Sequence, residues 1–138
     1  MKNLHDLVRG WLGKAESDLA TVKLCVSSRT SFDVACFHAQ QVIERYLKAY
    51  LIFKDVDFPF VHDLDRLLEI CAGTDPAFKE LLSMVEGMTE YAVKLRYDPD
   101  FWPPIEQAKS ARDAALKVRE FVLARLPAEV HPNLEERG

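Results

Sequence analysis

Apolar residues recur along this chain at steps of three and four, the spacing of helices that bury one side. The most strongly patterned stretch runs from Asp33 to Ile52. At about 100° per residue, Phe32, Ala35, Cys36, Ala39, Ile43, Tyr46, Leu47 and Tyr50 fall on one stripe. The other side carries Val34, His38, Gln41, Arg45, Ala49 and Ile52, polar and apolar groups mixed. A helix with two partly apolar sides is buried on both, inside a bundle or at a subunit contact. The spacing therefore predicts a central helix here.

The same reading places a first helix from Asn3 to Ser27, on Leu4, Leu7, Val8, Trp11, Leu12, Ala15, Leu19, Val22 and Val26. Gly10 and Gly13 cost about 1 kcal/mol each in a helix, so its first turns are expected to fray. After a polar break at Ser27–Ser31, Thr30 or Ser31 is the expected cap of the central helix. A short third helix starts at His62-Asp63 and stops at Gly73. Thr74 or Asp75 caps a fourth, with Pro76 in its first turn. Its stripe of Phe78, Leu81, Leu82, Val85, Met88, Ala92 and Leu95 carries it to Arg96-Tyr97.

Pro99, Pro103 and Pro104 make the next segment a stiff loop. The last helix, from Pro104 to Arg125, has a small inner face of Ile105, Ala108, Ala111, Ala115, Val118 and Val122. Such a face permits close approach to the central or the fourth helix. Residues 127–138 read as a loose polar tail behind a single domain of residues 1–126. The predicted fold is all-α: an up-and-down four-helix bundle with one additional short helix.

Composition sharpens this picture only a little. The 138 residues, 49% hydrophobic and 29% charged with a net charge of -4, suit a globular domain rather than a general coat for nucleic acid. Cys25, Cys36 and Cys71 sit on apolar positions with no C-x-x-C pair, as reduced cytoplasmic thiols do. The N-terminal residues lack a signal-peptide pattern, and no apolar run approaches the roughly 20 residues of a membrane span. A cytoplasmic location is expected.

Candidate chemistry is sparse. His62-Asp63 resembles half of a metal site, but His5, His38 and His131 offer no close ligand pair, and a helix cap explains Asp63 equally well. No metal or cofactor is assigned. No phosphate loop or dinucleotide fingerprint is present, and thiols on apolar stripes are poor nucleophiles. Two polar clusters remain. One is His38, Gln41, Arg45 and Lys48 along the central helix, with Glu44 at its flank. It reads as a solvated face, a dimer seam or a cleft wall. The other is Arg96-Tyr97, either a cap on its own helix carbonyls or a bidentate phosphate ligand.

Several segments together resemble a HEPN domain. They are Trp11-x3-Ala15-x2-Asp18-Leu19, the run Ala35-Cys36-Phe37-His38-Ala39-Gln40-Gln41-x2-Glu44-x2-Leu47-Lys48-Ala49, His62-Asp63-Leu64 and Arg96-Tyr97. The resemblance implies an all-helical bundle that commonly forms homodimers. It also implies a nucleotidyltransferase partner in a toxin–antitoxin-like pair, or binding of nucleotide or RNA phosphate. Arg96, Tyr97, Lys48, His38, Gln41 and Glu44 are then the cleft residues.

RNase members of the family place a histidine a few residues beyond the arginine, and a related toxin variant has a tyrosine where Trp102 stands here. After Arg96 this chain reads Tyr97-Asp98-Pro99-Asp100-Phe101-Trp102-Pro103. Indole is no acid–base group in the useful range. Cleavage by a 2′-OH needs proton transfer as well as charge stabilisation, and Arg96 supplies only the second unless Tyr97 or His38 substitutes. No catalytic residue is therefore assigned. A metal-independent RNase keeping Arg96 stands as an alternative, and a purely structural interaction domain as another.

Overall fold

The structure, a computed structural model, describes residues 3–132. Helix α1 (Leu4–Ser27) is continuous through both glycines. Its expected fraying is offset by the Asn3 side chain, which accepts from the Asp6 N–H at 2.8 Å, a cap of the kind that contributes about 1 kcal/mol. Helix α2 (Phe32–Phe53) follows a tight turn in which Arg29 and Ser31 both adopt φ of 54°. Ser31 holds the cap position but makes no side-chain hydrogen bond there. The left-handed backbone takes the place of the expected cap, and Asp33 remains in the first turn.

α2 is the centre of the fold, packed on α1, α6 (Ile105–Leu123), α3 (Leu64–Ala72) and α5 (Tyr91–Tyr97). Thirteen of its residues are buried, from Ala35 to Leu51. The small face of α6 buries Ala108, Ala111, Ala114, Ala115, Val118 and Val122, and packs chiefly on α2. Alanine there lets the two helices approach closely, as the spacing predicts. Asp63 caps α3, accepting from the Asp65 and Arg66 N–H groups at 3.0 and 3.3 Å.

The fourth leg departs from expectation. Instead of one helix to Tyr97, Asp75 caps a 3-10 turn (Pro76–Leu81), followed by one turn of α4 (Leu82–Val85), a break, and α5. The stripe is only partly preserved: Phe78, Leu81, Val85 and Met88 are buried, Leu82 is exposed, and α5 buries no residue. Gly87 causes the break, with φ of +80°, a conformation that opposes a right-handed helix. Thr89 holds the broken segment to α3, its Oγ1 accepting from the Leu64 N–H at 3.0 Å.

The segment read as a loose tail is also partly corrected. Residues Ala128–Val130 form a 3-10 turn, Val130 is buried, and His131 Nε2 lies 2.9 Å from the Leu123 carbonyl. Arg9 Nε donates to the Glu129 carbonyl at 2.9 Å, closing this turn on α1. Residues 133–138 of that tail lie outside the described residues. Among the described residues no helix is long and apolar enough to cross a membrane.

The break predicts a specific sensitivity. Gly87→Ala places a Cβ at a left-handed φ, costing about 1 to 2 kcal/mol although its space is open, the nearest atom lying 3.9 Å away. Urea denaturation should show the unfolding free energy fall by that amount, with a correspondingly lower midpoint. An unchanged midpoint would mean that α4 and α5 can join into one helix.

Candidate functional site

Polar residues of α2 are answered from three directions. Toward α1, Asp18 is buried and both its oxygens are engaged: His38 Nδ1 lies 2.8 Å from Oδ1 and Arg45 Nη1 donates to Oδ2 at 2.5 Å. A carboxylate at Nδ1 sets that nitrogen as the donor and leaves Nε2 of a neutral ring as acceptor. Two residues before Asp18, Glu16 accepts from the Tyr46 hydroxyl and from Arg119 Nε of α6, tying three helices together. Burial and the neighbouring Glu16 push the Tyr46 hydroxyl well above its usual range, so it stays a donor.

Toward the 54–63 loop, Glu44 and Lys48 are each 4% exposed. Lys48 Nζ donates to Glu44 Oε2 at 3.2 Å, and His62 Nδ1 lies 2.8 Å from Glu44 Oε1. Gln40 Nε2 donates both to Glu44 Oε1 at 3.2 Å and to the His62 carbonyl at 3.3 Å. Gln41 extends the network, donating to Gln40 Oε1 at 2.6 Å. The Lys48 ammonium sits about 6 Å from the ring centres of Trp11, Phe58 and Phe60, an aromatic surround suited to a cation. These groups stitch a loop to the central helix, and among the described residues no buried side-chain polar atom lacks a partner.

The third direction is toward α5. Arg96 is exposed, its guanidinium carbon 5.4 Å from the centre of the Phe37 ring. Phe37 in turn meets His38 edge-on, 5.1 Å between ring centres. Tyr97, the next residue, and Trp102, in the loop that follows, are each 75% exposed. Among the described residues Arg96 forms no ion pair, whereas Arg9, Arg45, Arg66, Arg112, Arg119 and Arg125 each have a carboxylate within 4.0 Å.

The six residues singled out by sequence thus separate. Glu44 and Lys48 are interior, Gln41 is half-buried beside them, and only His38 reaches toward Arg96 and Tyr97, through Phe37. Asp18 and His62 are the partners that sequence reasoning did not assign. Asp18 follows Trp11 by two helical turns on the buried side of α1, a position where a carboxylate implies a cation across the interface.

The metal-like pair His62-Asp63 divides likewise: His62 turns to Glu44 and Asp63 caps α3. Among the described residues no three His, Cys, Asp or Glu side chains gather as metal ligands. Cys25, Cys36 and Cys71 are free and buried. Burial raises the Cys36 thiol to about 11 and the Cys71 thiol to about 12, which disfavours the thiolate a nucleophile needs.

The model of the HEPN domain matches residues 8–126, a span that takes in Asp18, the whole α2 network and Arg96. The chain belongs to the HEPN family. The crystal structure of ST0689, an archaeal HEPN homologue, superposes with a TM-score of 0.68 at 23% identity, covering 91% of this chain and 98% of that one. At that identity the likeness shows the fold of a HEPN domain. Comparison with curated proteins finds no match.

In this HEPN domain the interior pair sets a stability test. Glu44→Leu leaves the Lys48 ammonium buried without its counterion, a loss of roughly 3 to 5 kcal/mol. Adding Lys48→Met should recover much of it, because two apolar groups need no partner. A double-mutant cycle by urea denaturation measures the coupling, and additive losses would mean that the two side chains act independently.

Proposed function

We propose that this HEPN bundle is a cytoplasmic homodimer that serves a nucleotidyltransferase as its partner in a toxin–antitoxin-like pair. On this reading it holds nucleotide or RNA phosphate at Arg96 and Tyr97. The observation that carries it is the state of Arg96. Six other described arginines are matched to carboxylates; of the two exposed ones that are not, Arg29 and Arg96, only Arg96 lies against an aromatic ring, that of Phe37. A planar guanidinium fixed by stacking loses little freedom on forming a bidentate phosphate contact. Tyr97, adjacent in the chain and exposed, offers a ring on which a base can stack. Val93 and Tyr97, one turn apart on α5 and both exposed, also offer an apolar contact for a second copy.

Under this proposal Arg96→Ala weakens binding of single-stranded RNA about tenfold, the scale of one charge-assisted contact. It also lowers the salt slope of binding by about one phosphate. Fluorescence anisotropy at several salt concentrations reads both, with thermal melting unchanged because α5 buries nothing. Failure of the purified chain to bind RNA, nucleotide or a co-expressed nucleotidyltransferase encoded beside it would remove the proposal.

A second reading has an observation of its own. His38 is oriented by Asp18 and touches the ring on which Arg96 lies. A metal-independent RNase needs such an imidazole for proton transfer next to a phosphate-binding cation, and the segment after Arg96 contains none. This reading predicts RNA cleavage in EDTA, abolished by His38→Ala and by Arg96→Ala alike. Cleavage that survives either substitution would exclude it.

A further inference from the structure

Between the first turns of α1 and the middle of α2 lies an open cavity of about 520 Å³, within the roughly 300–1,000 Å³ typical of small-molecule sites. It is distinct from Arg96, which does not line it. Leu7, Trp11 and Lys14 line it at helical spacing, and Gly10 opens it: a Cβ built there meets no atom within 4 Å. Trp11 is held in place from elsewhere, its ring centre 5.9 Å from the buried Lys48 ammonium.

The charges on the walls are unequal in what they have left to offer. Asp6 is bound by Arg9 at 2.5 Å, and Asp18 is saturated by His38 and Arg45. Lys14 is exposed and has no carboxylate within 4.0 Å among the described residues, and Arg45 uses only Nη1 in hydrogen bonding. The unspent capacity is therefore cationic. Arg9, which lies outside the lining, offsets Asp6, and Arg45 offsets Asp18, so Lys14 is the one uncompensated charge of the wall. One net positive charge matches a monoanion better than a phosphomonoester dianion. The Arg45 fork suits a planar carboxylate, and Leu7 with Trp11 suits an apolar ring.

We propose that this cavity binds a small aromatic carboxylate, its ring against Trp11 and Leu7 and its carboxylate between Lys14 and Arg45. Nothing in this site depends on phosphate recognition at Arg96, so either assignment can fail without the other.

Phenylacetate is the probe. The chain has two tryptophans, so Trp102→Phe leaves Trp11 as the sole indole reporter. Titration should change its fluorescence saturably, with a Kd at or below about 1 mM. The uncharged isostere phenylacetamide should bind at least tenfold more weakly, as should inorganic phosphate and adenosine monophosphate. Gly10→Leu, which fills the cavity, should abolish the change without lowering the melting temperature, since leucine is the better helix former. Lys14→Gln, an exposed position, should weaken phenylacetate severalfold and leave phenylacetamide unaffected.

Equal binding of the acid and the amide, tighter binding of either phosphate compound, or undiminished binding in a folded Gly10→Leu protein would each overturn the assignment. Should Gly10→Leu fail to fold, an unchanged phenylacetate Kd in Lys14→Gln overturns it alone.

Discussion

Glu44 and Lys48 stand one turn apart on a helix that has neighbours on every side, and neither can reach bulk water. A carboxylate and an ammonium in that position are tolerated only if each finds the other and their remaining hydrogen-bonding capacity is met. The requirement propagates. Gln40 turns to Glu44, Gln41 to Gln40, and His62 is drawn from the loop onto the same carboxylate. Trp11 and the loop aromatic Phe58 then stand about 6 Å from the ammonium, with the fully exposed Phe60 at a similar distance. Much of the path between α2 and α3 follows from the need to answer these two charges.

The same rule operates on the α1 side, with Asp18 between His38 and Arg45, and again at Glu16 between Tyr46 and Arg119. Asp18 and Glu16, each in contact with groups from other helices, fix the relative rotation of α1, α2 and α6 more sharply than apolar contacts, which carry no direction. The stripe of alanines on α6 sets how near that helix comes, and the ion pairs set which way it faces. Arg96 differs because no carboxylate among the described residues answers it, only the ring of Phe37.

α1, α2 and α6 were legible because their apolar residues repeat over five or more turns, and a long repeat has few other readings. The cap Asp63 was legible from side-chain chemistry alone, and Asp75 was one of two candidates with Thr74. The fourth leg was not. Val85, Met88, Ala92 and Leu95 keep helical spacing straight across Gly87, and periodicity is blind to the handedness of one backbone torsion. The partnering of Asp18 with His38, 20 residues away, was invisible for another reason: spacing tells which side of a helix a residue occupies but not what stands opposite. Arg96 and the run from Phe37 to Ala49 stood out through family resemblance, while burial of Glu44 and Lys48 emerged only from the packed helices.

The short α5, behind its glycine break, has an energetic consequence for anything Arg96 holds. A helix of seven residues that fully buries none of them is held by partial packing on α2, by the Gln107 side chain donating to the Tyr91 hydroxyl at 2.8 Å and by the Phe37 contact, far less than holds the long helices. Such segments open at far lower free energy than the core. The affinity of a ligand gripped there is its intrinsic affinity scaled by the fraction of molecules in which α5 is formed. Thr89 and Gly87 thereby become affinity determinants at a distance: they shift the population of the wound state without approaching the ligand. Binding, reciprocally, would anneal the one leg of the bundle that the core leaves loose.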